Sequence, residues 1–250
     1  MRNPKILVIQ PDETDPPARL GDWLVAAGAD LDVLEPARTH LPELEHCHGV
    51  VCLGGEMGAN DDLDHPWLAD VRRLLARAVA TRLPVLGVCL GGQLLAVATG
   101  GQVAVGADGP EVGPRLVAKR DVAWRDPLFA DLPFMPDVLQ FHQDAVTVLP
   151  RGAELLASAT PYPNQAFRIG PSAYGLQFHI ETTPEIVLAW ARSAPEDAAL
   201  ARPGDLEPER LAELHRDLEE TWRPFAERFV RLAGGDLEPA APAGLGLPMA

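Results

Sequence analysis

Four short apolar runs limit what this chain can fold into: Lys5–Gln10, Leu31–Leu34, His48–Leu53 and Pro84–Val88. Each is too short for a stable helix, and most are rich in β-branched residues, so each reads as a buried strand. Between them lie segments with helical spacing. Ala18–Ala27 is amphipathic and runs into Gly28, a suitable helix terminator. Pro66–Arg82 sets Leu68, Val71, Leu74, Leu75, Ala78 and Val79 along one face. Gly91–Thr99 is a short helix closed by Gly100-Gly101. Continuously apolar strands alternating with helices imply a mostly parallel sheet covered on both faces. Ligands of such sheets sit at the carboxyl ends of the strands. Gly54-Gly55 and Gly91-Gly92 both fall at strand ends, so the two turns are expected to meet in one crevice.

The texture changes from Gln102 to Glu181. Strand candidates follow one another at Arg115–Lys119, Ala145–Leu149, Glu154–Ala159, Ala166–Ile169 and Tyr174–His179, separated by turn signals such as Pro150-Arg151-Gly152. They are expected to be antiparallel or mixed additions to the same sheet. Glu185–Arg192 and Pro208–Ala233 read as helices. The latter carries Leu211, Leu214, Leu218, Trp222, Phe225 and Phe229 at helical spacing, a stripe suited to packing on the core. The Pro-, Ala- and Gly-rich end suits a disordered tail. The expected division is an α/β domain over residues 1–195, a helical extension packed on it over 196–235, and a tail over 236–250.

With 250 residues, 47% of them hydrophobic, the chain can build one large core. Its 21 basic and 36 acidic residues leave a net charge of −15, which argues against nucleic acid and anionic membrane surfaces as partners. Three cysteines (Cys47, Cys52, Cys89) without short-spaced pairs fit neither a disulfide framework nor a zinc site. No apolar stretch approaches the ~18 residues a membrane helix needs, and the N-terminus lacks a secretory core. A cytoplasmic location is the expectation.

One cysteine stands apart. Gly87-Val88-Cys89-Leu90-Gly91 places a thiol between two glycines, where a strand turns into a helix. A sharp turn of this kind exposes a nucleophile and aims a helix N-terminus at it, which favours the thiolate. It also frees the Leu90 N–H for a developing oxyanion. Cys47 and Cys52 lack this frame and read as structural. A thiol nucleophile needs a base, and the base an orienting group. Gln177-Phe178-His179-Ile180-Glu181 supplies both, because residues two apart on an extended strand share a face. The other histidines considered (His40, His46, His48, His65, His215) have no carboxylate so placed. The order nucleophile, His, acid differs from that of α/β-hydrolases, in which the acid precedes the His.

These residues resemble the class I glutamine amidotransferase family. Its Gly-x-Cys-x-Gly-x-Gln elbow is matched by Gly87 to Gln93, and its Gln-Phe-His-Pro-Glu strand by Gln177 to Glu181, with Ile180 in place of Pro. Gly54-Gly55-Glu56-Met57-Gly58 resembles its Gly-Gly-Pro loop, with Glu56 in place of Pro. The resemblance covers about Lys5 to Arg192. It implies a flavodoxin-like fold and a Cys89-His179-Glu181 triad. It further implies an oxyanion hole from the backbone of Gly55 and Leu90, and substrate contacts from Gln93, Met57, Phe141, His142, Gln143 and Asp144. It implies no metal and no cofactor. The substrate class implied is glutamine or a γ-glutamyl small molecule, attacked to give a γ-glutamyl thioester. Asn60-Asp61-Asp62, His65-Pro66-Trp67-Leu68 and Asn164-Gln165-Ala166-Phe167 look most like free-standing, GMP-synthase-like members. Three readings stand: a glutaminase serving a separate synthetase subunit, a stand-alone γ-glutamyl amide hydrolase or transferase, and a non-catalytic module of the same fold.

Overall fold

The computed structural model describes residues 3–241. The strands are β1 (Lys5–Ile9), β2 (Asp30–Leu34), β3 (Gly49–Cys52), β4 (Val85–Val88), β5 (Gln102–Val105), β6 (Glu111–Leu116), β7 (Ala118–Lys119), β8 (Asp137–His142), β9 (Asp144–Val148), β10 (Glu154–Ser158), β11 (Ala166–Ile169) and β12 (Ala173–Leu176). The helices are α1 (Ala18–Ala26), α2 (Leu68–Ala80), α3 (Leu90–Ala98), α4 (Pro184–Ser193), α5 (Pro195–Ala198) and α6 (Pro208–Gly234). Among the described residues no helix is long and apolar enough to cross a membrane.

The central sheet has eight strands in the order β2-β1-β3-β4-β12-β11-β10-β7. From β2 to β12 all pairings are parallel, and from β12 to β7 all are antiparallel. This is the α/β architecture expected, a mostly parallel sheet flanked by helices. The alternation of side chains along each strand divides the core in two. Ile6, Val8, Val51, Leu86 and Val88 face the layer that includes Leu20, Leu24, Trp222, Phe225 and Phe229 of α1 and α6. Leu7, Ile9, Val50, Cys52 and Val85 face Leu68, Val71, Leu75, Leu94 and Leu95 of α2 and α3. With both faces covered, strands such as Gly49–Cys52 and Val85–Val88 are buried throughout.

Two expectations need correction. Of the strands between Gln102 and Glu181, β7, β10, β11 and β12 join the sheet, β12 parallel to β4; β5 pairs with β9, and β6 with β8, as separate two-stranded ribbons. β8 lacks a clean alternating pattern and three of the four residues of β5 are exposed, so neither stands out as a strand in the sequence. The strand ending at His179 stops at Leu176; His179 itself makes only an isolated bridge to Leu139.

The C-terminal helix packs as its stripe implies. Leu211, Leu214, Leu218, Trp222, Phe225 and Phe229 are all fully buried, and Gly235 ends the helix at φ 79°. Beyond it, Leu237 packs on the core and the Ala240 N–H donates to Pro171 O. The start of the expected tail is thus held against the domain. Residues 242–250 lie outside the described residues.

Candidate active site

Cys89 sits between β4 and α3 with φ 50° and ψ −110°, a left-handed conformation that a side-chain-bearing residue rarely adopts. The glycines around it explain how the turn closes. A Cβ on Gly87 would fall 2.5 Å from Gly91 O, one on Gly91 would overlap Cys52 O of β3, and one on Gly92 would lie 2.6 Å from Leu176 O of β12. The head of α3 therefore rests directly on the backbones of β3 and β12. As the first residue of α3, Leu90 has no intrahelical acceptor for its N–H. Gly55 lies against the same turn: a Cβ there would come within 3.2 Å of Leu90 Cδ2 and 2.7 Å of Met57 Sδ. The two glycine turns do meet in one crevice.

His179 and Glu181 follow β12 in an irregular segment rather than a strand. They are adjacent nonetheless: His179 Nδ1–H donates to Glu181 Oε1, and the Ile180 N–H donates to Glu181 Oε2 at 2.8 Å. Both are buried, with exposures of 2% and 0%, and Cys89 is only 6% exposed. Burial by itself would lower the His179 pKa. The Glu181 charge and then Cys89 outweigh it and hold the imidazole well above its ordinary value. Burial would likewise raise Glu181, but His179 and the Ile180 amide bring it below the usual carboxyl range. Both shifts favour an imidazolium paired with a carboxylate. His179 Nε2 is buried without a protein hydrogen bond of standard geometry. Cys52, by contrast, is fully buried in β3, and burial pushes its thiol far up, as suits a structural residue.

A cavity of about 530 Å³ opens over this turn. Cys89, Gly55, Met57, Gln93, Phe141, His142, Gln143, Asp144 and His179 line it, so nearly all the residues named from the sequence border one space; Leu90 and Glu181 stand behind it. Their roles differ. Gln93 is 3% exposed, and its Nε2 donates to Asp144 O at 3.0 Å, so it braces the β8–β9 turn. His142 has both ring nitrogens engaged, by Asp144 O and Glu111, and supports the wall. Gln143 donates to Asp197 at 2.7 Å, linking that turn to α5.

Three contributors are not evident in the sequence. Trp190 of α4 packs on the His179 ring with centroids 4.8 Å apart, and on Phe141 at 5.6 Å. Thr14 accepts from Trp190 Nε1 through its carbonyl. Asp15, in the same β1–α1 loop, is buried beside His179 and Glu181; one polar atom from each of the three lies within 4.8 Å of those of the other two. Within this group His179 Nδ1 is engaged by Glu181. The only hint of Asp15 was its place after the carboxyl end of a parallel strand. For Trp190 there was none, because a Trp on a short amphipathic helix reads as core.

Comparison with known proteins gives the family. The family description "Glutamine amidotransferase class-I" matches residues 20–186. The chain belongs to the class-I glutamine amidotransferase family. Among solved structures, a glutamine amidotransferase of Thermotoga maritima superposes with a TM-score of 0.80 at 29% identity, covering 92% of this chain and 99% of the other. A glutamine amidotransferase of Methylobacillus flagellatus covers 100% of each chain, with a TM-score of 0.76 and 28% identity. By sequence the chain is 31% identical over 147 residues to γ-glutamyl peptidase 4 of Arabidopsis thaliana, 58% of each protein. It is 37% identical over 150 residues to the glutamine-hydrolysing GMP synthase of Thermomicrobium roseum, 59% of this chain. The matched stretch is only 26% of that synthase, so this class-I amidotransferase domain spans a minor part of its synthase relatives.

Proposed function

We propose that this class-I amidotransferase domain is a γ-glutamyl amide hydrolase working through a Cys89-His179-Glu181 triad. The observation that carries this reading is the left-handed Cys89 at the head of α3, beside an imidazole fixed by a buried carboxyl group. The Cys89 thiolate attacks the γ-carbonyl carbon. The oxyanion forms against the N–H groups of Leu90 and Gly55, and each such donor contributes roughly 3 kcal/mol to barrier lowering. The C–N bond breaks as His179 gives its proton to the departing amine, leaving a γ-glutamyl thioester on Cys89. Water, deprotonated by the now neutral His179, then attacks the thioester and releases glutamate, restoring the thiolate and the imidazolium.

Met57, Phe141, Gln143 and Asp144, all lining the cavity, meet the glutamyl portion. Besides Asp15, the described residues lining the cavity include four acidic side chains (Glu56, Asp61, Asp144, Asp197) and no Lys or Arg. An α-ammonium is favoured there, and an α-carboxylate must be met by backbone N–H groups.

Glutamine delivering ammonia to a separate synthetase subunit is one use of this chemistry, supported by the GMP synthase relatives. A stand-alone γ-glutamyl amide or peptide hydrolase is the other. It is supported by the peptidase relative and by a cavity within the range of about 300–1,000 Å³ typical of sites for whole small molecules. The deciding experiment sets purified protein against glutamine and a panel of γ-glutamyl amides, with Cys89→Ala as control. Release of glutamate that falls at least about a thousandfold in Cys89→Ala is expected. Undiminished hydrolysis by Cys89→Ala would remove the catalytic assignment.

A further inference from the structure

A second carboxyl stands beside the triad with no partner of its own. Asp15 is 2% exposed and lines the same cavity as Cys89 and His179. Neither of its oxygens receives a hydrogen bond among the described residues. Glu181 accepts two, from His179 Nδ1–H and from the Ile180 amide.

The position of Asp15 is built, not incidental. Its loop is turned by Asp12, whose Oδ1 accepts from the Thr14 N–H and hydroxyl, both at 2.8 Å. Pro16 and Pro17 stiffen the chain after Asp15, and Ala18 takes a left-handed φ of 33° to begin α1. The loop is tied to the site at both ends: Arg19 N–H donates to Glu181 O at 2.9 Å, and Trp190 Nε1–H donates to Thr14 O at 2.9 Å. Gly54, just past β3, leaves the space, since a Cβ there would collide with Asp15 Oδ2.

The groups facing Asp15 come from several elements. His179 and Glu181 belong to the segment after β12, Cys89 lies behind His179 at the head of α3, Asp12 shares the loop, and Cys52 ends β3. From α6, His215 lies beside this segment, its Nε2 against Thr182 Oγ1 and its basicity lowered by burial. The Arg19 guanidinium turns away to Glu219 and His215 O. Among the described residues, His179 is therefore the single cation available to two buried carboxyls. One imidazolium offsets one carboxylate, and an unpaired buried carboxylate without donors is the costlier of the two to keep charged.

We propose that Asp15 is held as a neutral carboxylic acid whose O–H donates to the Glu181 carboxylate, making it a positioning residue that fixes Glu181 and leaves His179 facing one negative charge. Burial first, then the Glu181 charge, push its pKa well above the usual carboxyl range, in keeping with this arrangement. When Asp15 ionises on the alkaline side, a second negative charge faces His179. The imidazolium then holds its proton more tightly and yields it less readily to the leaving amine. Alkaline loss of activity thus comes in two steps, one for Asp15 and one for His179.

This inference rests on the triad reading, and its test has an arm independent of turnover. The pH profile of kcat/KM is measured for wild type, Asp15→Asn and Asp15→Ala on a γ-glutamyl amide. Infrared difference spectra are recorded between wild type and each variant. Asparagine keeps the shape and the donor but cannot ionise. It is expected to stay within about threefold of wild type at neutral pH and to lose activity in a single alkaline step. Asp15→Ala is expected to drop roughly tenfold through a misplaced Glu181. Wild type should show the carbonyl stretch of a neutral acid at pH values where ordinary carboxyls are ionised, and Asp15→Asn should lack it. An Asp15→Asn profile superimposable on wild type, or a neutral-pH loss beyond about a hundredfold, overturns the proposal. So does the absence of the neutral-acid band. Should Asp15→Asn not fold, the band compared between wild type and Asp15→Ser decides. Should no substrate turn over, the band still reads the protonation of Asp15, while the triad reading fails on its own.

Discussion

At the scale of single residues, the site depends on what its glycines leave out. Gly54 keeps β3 clear of Asp15 and of His179 Cε1, which a Cβ would approach to 3.1 Å. Gly54→Ala is therefore expected to push the imidazole off its line to Cys89. A displacement near 1 Å costs about a hundredfold in rate, so kcat/KM should fall by that order while urea unfolding shows a far smaller change. Unchanged turnover would mean that the loop yields instead. The flanks of Cys89 were legible in the sequence because a thiol between glycines at a strand end has one obvious use. The role of Gly54 was not, because its neighbour Asp15 is distant along the chain and beside it only in space.

At the scale of elements, α6 holds up the side of the sheet opposite α2 and α3. Trp222 is fully buried, packs against Phe129, Phe178 and Phe225, and donates its indole N–H to Asp137 O at 2.9 Å. Trp222→Ala is expected to cost about 3–5 kcal/mol in chemical denaturation. Phe178 directly precedes His179, so a loss of kcat larger than the unfolded fraction explains would show that α6 also steadies the catalytic segment. A stability loss below about 1 kcal/mol would contradict this packing. The stripe of α6 was readable from spacing alone. The pairing of β5 with β9 and of β6 with β8 was not, since these strands carry no clear alternating period and their partners lie far along the chain.

For the whole molecule, the buried His179–Glu181 pair links stability to pH. His179 is raised in the folded state, so its contribution is complete below the ordinary imidazole pKa and fades as pH rises through the folded value. Glu181 is lowered, so its contribution is complete above the ordinary carboxyl pKa and fades as pH falls. The pair is worth most between about pH 4.5 and 6.5. The stability gap between wild type and Glu181→Gln, read by urea unfolding, should be widest in that window and narrow toward alkaline pH. A gap independent of pH would show that the pair is not ionised in the folded protein. The net charge of −15 acts on all of this only as a background that favours compactness near the acidic end.

The sequence by itself determined the parallel core of the sheet, the cysteine elbow, the adjacency of a histidine and an acid, and the buried face of the last helix. Each of these is written in local spacing, where chemistry and period fall within a few residues of one another. Tertiary structure alone decided which loops meet above the elbow. It brought Asp15 from the β1–α1 loop and Trp190 from α4 against His179, and it placed His179 beyond the strand expected to carry it. Those contacts join segments from opposite ends of the domain, and only the stacking order of the sheet makes them neighbours.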